Sequence, residues 1–136
     1  MNPFHCVPFL ELDDGTVISE SISICRYLEE IYPNPALFGT TAETRAIIDM
    51  WLRRFELDGF LPMLHAVRNH LENFKGRVIP GTRTDLPQVP EMVTRGIEMG
   101  KMFLERVEPH MAENEFVAGS RFSVADITAF FTIKLT

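Results

Sequence analysis

Val7-Pro8-Phe9-Leu10-Glu11-Leu12-Asp13-Asp14-Gly15-Thr16-Val17-Ile18-Ser19-Glu20-Ser21, followed by Ile22-Ser23-Ile24-Cys25-Arg26-Tyr27-Leu28-Glu29, decides the first part of the fold. Val7 to Leu12 reads as one strand and Thr16 to Ile18 as another. Asp-Gly between them is a tight-turn signal, because glycine tolerates the positive φ such turns require. Pro8 lacks an N–H to donate, so it belongs at a strand start or edge. Ser21 is a good N-cap. Ile22, Ile24, Cys25, Leu28, Ile31 and Tyr32 then follow at helical spacing, with Arg26, Glu29 and Glu30 on the other face. The unit is a hairpin and a helix that stops before Pro33. Alone it is too small to be stable, since a two-stranded sheet needs more strands or a packed partner.

The rest of the chain supplies that partner. Pro33, Pro35 and Gly39 punctuate the sequence after the helix, and the charge changes there too. Residues 1–40 carry a formal net −5, residues 41–77 carry +1, and residues 78–136 carry −2. A module boundary is therefore expected at 39/40, giving modules 1–39 and 40–136. Ala42 to Phe74 predicts one long helix, apolar on more than one face, which Pro62 should kink. Residues 75–89 hold Gly76, Pro80, Gly81 and Pro87 and read as a loop. Pro90 opens a further helix to about Ala112. Met92, Gly96, Met99, Phe103 and Val107 share its face, and Gly96 and Gly100 allow a neighbouring backbone to come close. Phe122-Ser123-Val124-Ala125-Asp126-Ile127 is a capping box, with Ser123 at the N-cap, Asp126 at N3, and Phe122 and Ile127 at the staple positions.

Composition narrows function. With 13 basic against 19 acidic residues, the 136-residue chain has a formal net charge of −6, which excludes a simple electrostatic nucleic-acid binder. At 46% hydrophobic and 24% charged it is globular rather than disordered. No apolar run approaches the ~20 residues that span a bilayer, and no secretory signal follows Met1. Cys6 and Cys25 make no CxxC and read as reduced cytoplasmic thiols. His5, His65, His70 and His110 have no metal-ligand spacing, so no metal is expected.

The ordered motifs Val7-Pro8-Phe9-Leu10-Glu11-Leu12-Asp13-Asp14-Gly15, Ile18-Ser19-Glu20-Ser21, Ile24 to Glu29, Phe116-Val117-Ala118-Gly119 and Ser123-Val124-Ala125-Asp126 resemble the glutathione transferase family. The resemblance implies an α/β, partial thioredoxin-like module of β-hairpin plus helix, followed by an all-α helical bundle, mostly helical overall. It begins inside the family's first domain and stops within its second. A chain truncated at both ends is therefore expected, with a first domain lacking its first half and an incomplete helical domain.

The implied function is conjugation of the glutathione thiol to electrophilic apolar substrates, a detoxification activity of cytoplasmic homodimers. Glutathione is the co-substrate and no metal is used. The resemblance implies a cis bond before Pro8, with the Val7 backbone pairing with the cysteinyl unit of glutathione as an added strand would. Glu20 and Ser21 resemble the residues that hold its γ-glutamyl end. Ser21 offers a hydroxyl and an amide to the carboxylate and Glu20 faces the ammonium. A plain edge proline, an N-cap serine and a neighbouring acid would also account for Pro8, Ser21 and Glu20.

His5-Cys6 stand where the family often has Gly-Lys or Gly-Gln. The thiol-activating residue belongs to the part of the family pattern that precedes Met1, so the catalytic residue is unknown. An apolar substrate would be expected between the hairpin edge and the long helix, near Trp51, Arg54 and Phe55. The alternative function is a noncatalytic binding or scaffold protein on the same fold, or an inactive fragment.

Overall fold

A computed structural model describes residues 2–135. Strands β1 (Phe9–Glu11) and β2 (Val17–Ser19) pair antiparallel, Phe9 with Ser19, Leu10 with Ile18 and Glu11 with Val17. The turn is built as its residues dictate. Gly15 takes φ +83°, and the Leu12 amide donates to the Thr16 carbonyl at 2.9 Å. The Asp14 carboxylate accepts the Thr16 amide, also at 2.9 Å, and that hydrogen bond holds its pKa below the usual carboxylate range.

Helix α1 (Ser21–Ile31) follows directly. Its Glu29 carboxylate accepts the amides of Leu37, at 2.6 Å, and Phe38, at 3.0 Å. A side chain assigned by periodicity to the outer face thus fixes the turn that delivers buried Phe38 to the core.

Helix α2 (Ala42–Arg54) opens on a capping box between Thr41 and Thr44. The single long helix expected over 42–74 is instead four pieces. After α2 come a π-helical stretch, Phe55–Phe60, then α3 (Leu61–His70), then a 3₁₀ turn, Glu72–Phe74. Pro62 is the cause. It has no N–H, and its ring crowds the carbonyl four residues back. The chain accommodates it by widening the preceding turn, so that the Leu61 amide bonds to the Glu56 carbonyl, five residues back. The wide turn packs closely: a Cβ on Gly59 would lie 2.6 Å from Thr132 Cγ2 and 2.7 Å from the Phe103 ring.

Helix α4 (Pro90–Glu113) runs along α3, and α5 (Val124–Leu135) crosses beneath the π-helical stretch. The core gathers Leu52, Phe55, Phe103, Val107, Val117, Ala125 and Ala129, with the Phe55 and Phe103 rings edge to face at 5.1 Å. On α4 the buried stripe is Gly96, Gly100, Phe103 and Val107. Met92 and Met99, expected on it, lie at its rim and remain exposed. The reason is the close approach at Gly96, where a Cβ would stand 2.4 Å from the Pro62 carbonyl oxygen and 2.9 Å from Ala66 Cβ.

Gly96→Ala is expected to destabilise the protein by about 2 kcal/mol in urea unfolding, as overpacking does. Alanine's better helix propensity, worth about 1 kcal/mol, works against this. A gain in stability would show that α3 and α4 are not in such close contact. Among the described residues, no helix is long and apolar enough to cross a membrane.

Candidate functional site

The hairpin register organises the site. Its ladder ends at Phe9 and Ser19. The ladder stops there, because Glu20 leaves the strand conformation at φ +71° and Ser21 is already the first residue of α1. Val7-Pro8, just before β1, and Glu20-Ser21, just after β2, therefore lie at the same end of the hairpin, where α1 begins. Val7 is 85% exposed, and Pro8, Glu20 and Ser21 are exposed beside it. The Val7–Pro8 peptide bond is cis, as is Asn34–Pro35.

Ser21 differs from its expected role. It is the first residue of α1, and Glu20 occupies the N-cap with φ +71° and ψ +122°. Neither side chain caps the helix: Glu20 makes no capping hydrogen bond, and the Ser21 hydroxyl has no partner among the described residues. A first turn without acidic residues leaves the positive end of the α1 dipole unneutralised from within the helix. Positive φ is unusual for a residue with a Cβ and marks a conformation imposed by its surroundings.

Ser21 opens into a polar cleft of about 280 Å³ between α1 and α2. Arg26, Asp49, Arg53 and Glu56 line it with Glu20 and Ser21. Arg26 pairs with Asp49, and Arg53 with Glu56 at 2.5 Å; all four side chains are 40% or more exposed, so the pairs orient these groups more than they stabilise the fold. Of these four, the sequence places only Arg26, on the outer face of α1, and gives none of them a role in a site. Asp49, Arg53 and Glu56 recur at i, i+4 and i+7, the spacing of one helix face, and that was the available signal.

The expected apolar site near Trp51, Arg54 and Phe55 is not there. Phe55 is fully buried in the core. Trp51 stacks on His110 at 4.1 Å, with the Arg54 guanidinium 4.7 Å from its ring centroid. The apolar trough of about 540 Å³ lies instead between α1, the π-helical stretch and α5, with Ile22, Leu52, Phe60, Val124 and Phe131 in its walls. The helix faces it with residues one position away from those expected, because Trp51 and Phe55 are taken up by packing against α4.

Known proteins share this fold. A family model described as glutathione S-transferase, N-terminal domain, matches residues 1–31. Glutathione S-transferase 2 of Saccharomyces cerevisiae is 32% identical over 122 residues, covering 90% of this chain and 50% of the yeast protein. The crystal structure of Gtt2 from the same yeast superposes with a TM-score of 0.82 at 29% identity, over 96% of this chain and 60% of that one. A glutathione S-transferase of class Gtt2 from Vibrio parahaemolyticus superposes with a TM-score of 0.77 at 35% identity, over 95% and 55% respectively. The chain belongs to the glutathione S-transferase family.

The hairpin and α1 are thus part of a thioredoxin-like glutathione S-transferase module, and the later helices are of that family's helical part. The chain spans about half the length of the yeast glutathione S-transferase it matches. Among the described residues no cluster of three His, Cys, Asp or Glu side chains could hold a metal ion.

Proposed function

We propose that this chain binds glutathione across the end of the hairpin and serves a transferase that conjugates it to electrophilic apolar substrates. The supporting observation is the antiparallel pairing of Phe9 with Ser19, which leaves Val7-Pro8 and the start of α1 at one end of the hairpin. The exposed Val7 backbone offers an amide and a carbonyl to the cysteinyl unit of the tripeptide, as one more strand would. The γ-glutamyl carboxylate lies against the uncapped start of α1, taking the Ser21 hydroxyl and first-turn amides. Glu20 accepts from the ammonium of the same group.

In the reaction the glutathione thiol gives up its proton and the resulting thiolate forms a bond to an electrophilic carbon. In a substitution the departing group leaves with the electron pair of the bond that breaks; in an addition to an activated double bond the π pair moves to the neighbouring atom, which takes up a proton. A free thiol of pKa ~8.5 is only a few per cent ionised at neutral pH, so the complete enzyme needs a group that stabilises the thiolate. No residue is assigned that role. The proposal extends to a division at 39/40 into a glutathione-binding module and a helical module. It also extends to a cytoplasmic homodimer acting in detoxification, as the family resemblance implies.

Glutathione-affinity capture with an aromatic-halide conjugation assay tests this. Retention of the wild-type chain is expected. Ser21→Ala should weaken it about tenfold, the worth of one hydrogen bond to a charged group. A wild-type chain that fails to bind, or a Ser21→Ala chain that binds equally well, overturns the proposal. Conjugation above the uncatalysed rate would place a thiol-activating group within these 136 residues.

A further inference from the structure

A second cleft, of about 340 Å³, lies between the end of α3 and the loop that follows it. His5, Arg68, Arg77, Thr82 and Arg83 line it, with Phe74 at one wall, and no carboxylate does. Three arginines therefore line one small space in a protein of formal net charge −6. Among the described residues none of the three is in an ion pair.

Arg68 is held in place. Its Nη1 donates to the Arg77 carbonyl at 2.8 Å, and its guanidinium carbon lies 4.8 Å from the centroid of the Phe74 ring. Gln88 Nε2 donates to the Arg68 carbonyl at 2.9 Å, tying the far end of the loop to the same turn of α3. The Arg68 Nε–H is shielded from solvent and finds no acceptor among the described residues. Arginine is the side chain whose planar fork fits an oxyanion. The loop is drawn in by close packing: Gly81 has φ +78°, and a Cβ there would stand 2.0 Å from the Phe4 carbonyl oxygen and 2.7 Å from Cys6 Sγ. That contact brings His5 to the cleft's rim beside the arginines.

We infer that this cleft is a binding site for a compact oxyanion carrying two or more negative charges, held by Arg68, Arg77 and Arg83. The bidentate geometry of guanidinium suits a phosphate and a dicarboxylate alike. Thermal unfolding of the whole chain with added inorganic phosphate, pyrophosphate or succinate separates these sources, with sodium chloride at matched ionic strength as control. A rise in Tm of several degrees is expected with pyrophosphate or phosphate if the ligand is a phosphate, and with succinate if it is a dicarboxylate. Arg77→Gln/Arg83→Gln, which leaves the packed Arg68 in place, should weaken the effect about tenfold or more. Sodium chloride giving the same rise, no rise with any probe, or a double variant that responds like the wild type would each overturn the inference. Retention on glutathione resin is read in parallel, so that failure of this cleft and failure of the hairpin-end site are seen separately.

Discussion

Glu20→Gly is expected to make the protein more stable and a poorer ligand for immobilised glutathione. Glu20 is held at φ +71° and ψ +122° between β2 and α1, a conformation that L-residues rarely adopt. Such a backbone costs about 1–3 kcal/mol. Glycine adopts it freely but loses more chain entropy on folding, about 0.5–1 kcal/mol. The difference leaves a gain of about 1 kcal/mol, or roughly 4 °C in Tm for a chain of this size. Removing the carboxylate also removes the acceptor assigned to the γ-glutamyl ammonium, which should weaken retention about tenfold or more. Stability lost and binding kept is the outcome that contradicts both halves. Gains of this kind at a strained position, opposed by lost binding, mark residues kept for function rather than for the fold.

Asp126→Ala should have the largest effect on stability, about 3 kcal/mol in urea unfolding. The Asp126 carboxylate accepts the Ser123 amide at 2.8 Å and the Ser123 hydroxyl at 3.0 Å through one oxygen. Through the other it accepts the amide of Val117, also at 2.8 Å. Val117 is 1% exposed, so its amide has no water to turn to when the carboxylate is gone. A buried donor left unmet costs about 1–3 kcal/mol, and the lost helix start adds about 1. Asp126→Asn keeps one acceptor oxygen and should lose about half as much. Ser123→Ala should lose only about 1 kcal/mol. If Asp126→Ala proves no worse than Ser123→Ala, the bond to Val117 contributes nothing.

Ser123 and Asp126 illustrate how far local pattern reaches. The spacing Ser-x-x-Asp before an apolar run predicts the back-bond from carboxylate to Ser123 amide, and that bond forms. It does not predict the partner of the serine hydroxyl, which is the same carboxylate, with the Ala125 amide at 3.3 Å. Phe122, which the pattern puts at a staple position, is half-exposed and packs edge to face on Phe116 at 6.2 Å, a contact the pattern does not predict. The bond to Val117 spans nine residues and depends on where the preceding loop lies.

The hairpin and the helix after it were legible in the sequence, because a tight turn with Asp-Gly sets its own register; that Glu20 rather than Ser21 takes the N-cap position was not. The start of α4 at Pro90 was equally local. Tertiary structure alone decided the rest. Pro62 announced a break, but its form, a π-helical turn with Gly59 against Thr132 and Phe103, came from the helices packed around it. Phe55 was drawn into the core and Trp51 packed against it, while Leu52, itself buried, and Phe60 came to wall the trough, since a helix apolar on more than one face can be turned either way until its neighbours arrive. Arg68, Arg77 and Arg83 stand up to 15 positions apart, with no periodicity to join them. Only the fold of the loop onto α3 puts their charges in one place.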